Sequence, residues 1–165
     1  MFISYSKNHR GFSLIELLIV FVIIAILGTL GILTFYQSTR SISLDNDLQI
    51  AVETLNKARQ YSIDSKNRTP WGTHFNQDGL VLFSGTTFNP SDPTNVTLNL
   101  STYSTFSLIS LSGGSDVIFN QLNGSTSSYG YVVVSLKNNP SDLKTIYIQP
   151  SGIINVTSPS PTPSV

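Results

Sequence analysis

The chain has 165 residues, with nine Lys+Arg balanced by nine Asp+Glu, 11% charged residues and 40% hydrophobic ones. That length suits one modest domain with appendages, and the balanced charge argues against a nucleic-acid binder, which shows a basic excess in a patch or stripe. No cysteine and only two histidines remove disulfides, thiol catalysis and Cys-ligated zinc, and leave little for any other metal site or a His-based triad.

The chain opens with Lys7, His9 and Arg10 and has no acidic residue before Glu16. An apolar run follows over 17–36, and no charge occurs between Glu16 and Arg40. Twenty residues at the helical rise cover ~30 Å, the thickness of a bilayer hydrocarbon core. A fully buried soluble helix is the alternative, and the length disfavours it. The basic flank predicts an N-terminus in the cytoplasm, with the residues after about 40 outside the membrane. A secretory signal peptide fits poorly, because its apolar core is about 7–15 residues. The nearest small-x-small site, Thr29-Leu30-Gly31, also lies inside the run.

Glu16 stands at the edge of this run. A carboxylate at mid-membrane costs about 3 kcal/mol on insertion scales and less near an interface. It either faces headgroups or awaits a cation. A chain cut after Gly11 would supply one, the new α-amine of Phe12, one helical turn from Glu16 or on a neighbouring subunit. Gly11, without a side chain, lets a protease approach the backbone; by itself it reads first as a plain helix-start or loop residue, and Phe12, Glu16 and the apolar run beside it reverse that. The stretch Gly11-Phe12-Ser13-Leu14-Ile15-Glu16-Leu17-Leu18-Ile19-Val20 resembles the class III signal of type IV pilins and pseudopilins over Gly11 to about Leu33. The resemblance implies a membrane prepilin peptidase that cleaves between Gly11 and Phe12 and methylates the Phe12 amine. It also implies that Glu16 brings a new subunit into register in the filament. The implied partners are that peptidase, other pilin or pseudopilin subunits, an inner-membrane assembly platform and the lipid bilayer. No nucleic acid, cofactor, metal or catalytic residue is expected.

Gly28 and Gly31 read as sites of close helix packing or local unwinding, or as ordinary membrane-helix glycines. Beyond them Leu44, Leu48, Val52 and Leu55, with Ala58 and Arg59 a turn further, repeat at helical spacing. Asp45, Asp47, Glu53, Lys57 and Arg59 are assigned to the solvent surface, with Glu53 and Lys57 placed i,i+4 in the favourable order. No proline or glycine lies between Ile32 and Thr69, so one helix from about 12 to 64 is predicted. The proline that many major pilins carry further along this helix has no counterpart here, and the disulfide-bounded loop of many pilins cannot form.

After Asn67-Arg68-Thr69-Pro70 the pattern turns to strands. They are predicted at 72–75, 80–84, 96–100, 105–111, 117–120, 129–136, 145–148 and 153–156. Turn signals at Gln77-Asp78-Gly79, Asn89-Pro90, Ser112-Gly113-Gly114, Asn123-Gly124, Asn138-Asn139-Pro140 and Ser151-Gly152 separate them. Short, regularly spaced strands predict an antiparallel sheet. Leu55–Arg59 followed by strand pairs, with Val117-Ile118-Phe119, Asn123-Gly124-Ser125 and the closing segment Ile146–Ile153, is similar to the GspH/FimT-like minor pseudopilins. That likeness implies a minor subunit near a filament tip or in a priming complex.

His74, near Trp71 and Asp78, reads as a structural or exposed histidine. Tyr129, Tyr131 and Tyr147 could form a binding surface, although aromatics suit strands in any case. Triplets such as Asn95-Val96-Thr97 match a glycosylation sequon by composition alone. No phosphate-cradling Gly-rich loop or nucleophile elbow is found.

The expected organisation is α+β, with the pilin-like fold of a long N-terminal helix on an antiparallel head. Its segments are a leader at 1–11, a transmembrane and assembly helix at 12–36, an amphipathic continuation at 37–64, a β-rich head at 65–156 and a disordered Pro/Ser tail at 157–165. The expected protein is a single-pass inner-membrane precursor, and then part of an extracellular or periplasmic filament. A membrane-anchored binding module or adhesin that never polymerises is the alternative.

Overall fold

The computed structural model of the chain describes residues 12–157, and of residues 28–39 the backbone alone. The chain divides into two compact units, Met1–Thr39 and Arg40–Val165. Helix α1 (Leu14–Ile63) runs through both and is continuous at Gly28 and Gly31. It starts two residues later than the pattern predicts: Phe12 and Ser13 are not helical, and the Ser13 carbonyl accepts an opening bond from Leu17 N at 3.2 Å. It ends without a glycine cap. Ser65, Asn67 and Arg68 take positive φ (49°, 59° and 55°) through a 3-10 turn at Lys66–Arg68, a backbone that non-glycine residues adopt at some cost.

In the first unit the described side chains end at Leu27. From Phe12 onward the large apolar residues are exposed on every side of the helix. Among the described residues no helix is long and apolar enough to cross a membrane. The second half of the predicted span lies in the stretch described by its backbone alone.

Among the described residues the second unit holds eight strands: β1 (Trp71–Asn76), β2 (Gly79–Ser84), β3 (Val96–Asn99), β4 (Ser104–Leu111), β5 (Asp116–Phe119), β6 (Gly130–Leu136), β7 (Asn139–Ile148) and β8 (Ile154–Thr157). They form two four-stranded sheets, β3-β2-β1-β5 and β4-β6-β7-β8, antiparallel at each pairing. Every predicted strand is present. The largest extension is in β7, which begins at Asn139 rather than Thr145, because Leu136 pairs with Asn139 and shrinks the turn to Lys137-Asn138. Pro140 is tolerated there as the second residue of its strand, beside the hairpin turn. The predicted tail also loses its first residue to the sheet, since Thr157 pairs with Thr145; residues 158–165 lie outside the described residues.

One apolar core joins both sheets to the part of α1 in this unit. It contains Leu44, Ala51, Leu55 and Ala58 of the helix, Trp71, Phe75, Leu80, Leu82, Val117 and Phe119 of the first sheet, and Phe106, Val132, Val134, Ile146 and Ile148 of the second. Phe75 and Phe106 meet edge to face at 5.2 Å where β1 approaches β4. The alternation of β6 sends Val132, Val134 and Leu136 into this core and leaves Tyr131 exposed, as a half-buried strand requires.

The buried helix face differs from the predicted stripe. Leu48 and Val52 of the stripe pack against the core while only partly buried, Ala51 joins the fully buried face, and three polar residues, Asp47, Thr54 and Ser62, are buried in line with Leu44, Leu55 and Ala58. Asp47 was expected in solvent. It is only 3% exposed because its carboxylate accepts from the backbone N and the hydroxyl of Ser101, at 3.0 and 2.6 Å. Ser62 is satisfied by β1: its hydroxyl accepts from Trp71 N at 2.8 Å and donates to Trp71 O. The expected Glu53–Lys57 pair gives way to other partners. Glu53 accepts from Gln49, and Lys57 stands 5.7 Å from the Tyr61 ring centroid.

Candidate assembly and processing segment

The three residues singled out from the sequence fall at the start of the chain. Gly11 lies outside the described residues. Phe12 is 80% exposed, and Glu16 is exposed in the first turn of α1. A carboxylate there complements the positive end of the helix dipole. Beside Glu16 and the exposed Ser13, the residues Leu14, Leu17, Leu18, Phe21, Val22 and Ala25 line one shallow groove along the helix. A lone carboxylate at the head of an uncovered apolar rod is chemically suited to being buried against a cation together with that rod.

The head presents three polar or aromatic clusters. His74 on β1 faces Asp116 on β5, with Nδ1 and Oδ1 2.6 Å apart. The ring stacks on Phe88 at 4.0 Å. Asp116, not the nearer-in-sequence Asp78, is therefore its partner; Asp78 binds Lys137. Both members of the His–Asp pair are about one-quarter exposed. Among the described residues no group of three potential metal ligands occurs. At the end of the helix Lys66 lies 3.6 Å from the centroid of Tyr61, whose ring meets Trp71 edge to face. A hydrogen bond with Lys66 is the main reason the Tyr61 phenol has a pKa below its ordinary value. On the outer side of the second sheet Tyr131 and Tyr147 are direct cross-strand neighbours with centroids 5.9 Å apart. Tyr129 is half exposed at the start of that region.

Two residues that sequence reasoning assigned to solvent do structural work here. Asp47 ties the β3–β4 loop to the helix, as described above. Arg59 donates from Nε to the Gly124 carbonyl at 3.2 Å, beside Gly152, whose φ is +78°. The only sequence trace of this junction is the pair of glycine turns at 124 and 152.

Comparisons with known proteins agree with both halves of this description. Residues 6–32 match the family described as the prokaryotic N-terminal methylation motif. That match encloses Gly11, Phe12 and Glu16. Comparison with curated protein sequences gives no match. Among solved structures, the type IV minor pilin FimU of Pseudomonas aeruginosa (strain PAO1) is similar with a TM-score of 0.50. The likeness covers 73% of this chain and 91% of that one, at 12% sequence identity. At that identity the likeness is one of fold. The chain thus carries the N-terminal methylation motif at its start and, beyond it, a fold similar to that of a type IV minor pilin.

Proposed function

We propose that the chain is a structural filament subunit, a minor pilin or pseudopilin of a type IV pilus, a competence pilus or a type II secretion pseudopilus. A prepilin peptidase cuts it between Gly11 and Phe12 and methylates the new amine. The processed subunit waits in the inner membrane with its head outside and then enters the filament through an assembly platform. Its apolar helix is buried among those of other subunits, and Glu16 meets an amino-terminal charge. The role is structural, with no catalytic residue, cofactor or metal invoked.

One observation carries this reading: the methylation motif over 6–32 stands on the same chain as a pilin-fold head. Either alone is compatible with other anchored proteins. The test is the intact mass and first residue of the protein recovered from its own membrane. A chain that begins at Phe12 and is heavier by one methyl group is expected. A chain that still begins at Met1 would refute the processing and favour an anchored module that does not polymerise.

A further inference from the structure

Arg40 opens the second unit and is the first charge after Glu16. Its side chain is half-buried, and the guanidinium carbon stands 6.0 Å from the centroid of the Tyr103 ring. Its Nε is closed off from solvent with no hydrogen-bond partner. No carboxylate among the described residues pairs with it: Asp78 is taken by Lys137 and Asp45 by Lys144. Tyr103 is fixed from behind, since its carbonyl accepts from Lys137 N at 2.8 Å, while the side chain remains 39% exposed. Ile42, two residues on, is 58% exposed.

A half-buried guanidinium steadied on an aromatic ring, with no acid paired to it among the described residues, lacks an anion. Its place in the chain indicates which anion. Arg40 lies four residues past the end of the 17–36 apolar run, about 6 Å further along a helix. If that run fills the hydrocarbon core, this is the depth of the headgroup phosphates. Arginine with a buried stem and tyrosine at headgroup level are the side chains that this boundary favours. An exposed isoleucine is also compatible with it.

We propose that Arg40, braced by Tyr103, binds the phosphodiester of a phospholipid headgroup. The proposal rests on the membrane-anchored reading above. The test uses the full chain in vesicles of phosphatidylglycerol and phosphatidylcholine, in phosphate-free buffer, with ¹³C at the arginine Cζ. Carbon–phosphorus dipolar dephasing then reports arginines in contact with lipid phosphorus. The wild-type chain should show dephasing, and Arg40→Gln should remove one arginine's share of the four in the sequence. Trp71 fluorescence verifies that the head of the variant is folded. If the wild-type chain is retained after alkaline carbonate washing but the dephasing is the same with and without Arg40, the lipid site is overturned and a carboxylate of another subunit becomes the better ligand. If carbonate strips the chain from the vesicles, the anchored reading fails, and this proposal with it.

Discussion

Asp47 shows how much one side chain can be asked to hold. It is buried at the centre of the helix–sheet interface, and its two acceptor contacts fix the loop from which β4 begins. Asp47→Ala would leave the Ser101 N–H and hydroxyl without that acceptor, at a cost of about 1–3 kcal/mol. Asp45→Ala removes a more exposed ion pair with Lys144, and such pairs are worth about 0–1 kcal/mol. Denaturant unfolding of the two variants should therefore separate them, with the midpoint lowered clearly for Asp47→Ala and little for Asp45→Ala. Equal midpoints would mean that the buried carboxylate is not a net anchor. A similar contrast exists between glycines. A Cβ at Gly152 would run into the Gly124 carbonyl oxygen and crowd Arg59 Nε, whereas one at Gly114 meets nothing within 4 Å although both have positive φ. Gly114→Ala should carry only the left-handed backbone penalty, about 1–2 kcal/mol. Gly152→Ala should cost more, because it also breaks the Arg59 contact. Similar melting temperatures for the two would remove the junction at 59, 124 and 152 from the list of stabilising features.

Among the elements, the first sheet is covered on both faces, and this explains why β2 is buried along nearly its whole length. The core lies on one side; on the other, Phe88 from the β2–β3 loop stacks on His74 and leans on Phe83 at 5.4 Å. Phe88→Ala should cost about 2 kcal/mol, less than the ~3–5 of an enclosed phenylalanine, because Phe88 is only half-buried. Amide exchange should rise in the loop at 85–95 and at the β1–β5 edge while the helix stays protected. Unchanged exchange there would show that the ring is not the cover. The strands were legible in the sequence because alternation and turn residues are local. The helix stripe was legible only in outline. Its apolar members follow from spacing, but Asp47, Thr54 and Ser62 are buried by partners that sequence periodicity does not see. Ser101 is 54 residues from Asp47. The same limit explains His74, whose partner Asp116 arrives across the sheet from 42 residues away. Glu16 needed no such partner to be noticed, because a carboxylate beside a long uncharged run is conspicuous by itself.

At the scale of the molecule, the two units have opposite economies. The head buries its apolar residues in one core, while the described part of the first unit leaves its apolar residues exposed. A polypeptide with such a segment needs a second apolar environment, first lipid and then, on the proposed reading, the helices of other subunits. On that reading Glu16 must be neutralised within the filament, and the Phe12 amine that processing would leave has the opposite charge. Removing one partner of a buried pair costs about 3–5 kcal/mol, because the other is left uncompensated. Glu16→Ala and Glu16→Gln should therefore both lower incorporation into filaments by about 100-fold or more. Membrane retention should be unchanged, since neither substitution adds charge to the apolar run. Glu16→Gln carries the decisive weight, because it keeps the size of the side chain and one acceptor oxygen while removing the charge. The measurement is the amount of each variant in sheared filaments relative to the amount in the membrane. Normal incorporation of Glu16→Gln would show that the charge is dispensable, and the charge-pairing account of assembly would have to be abandoned even if Glu16→Ala were defective.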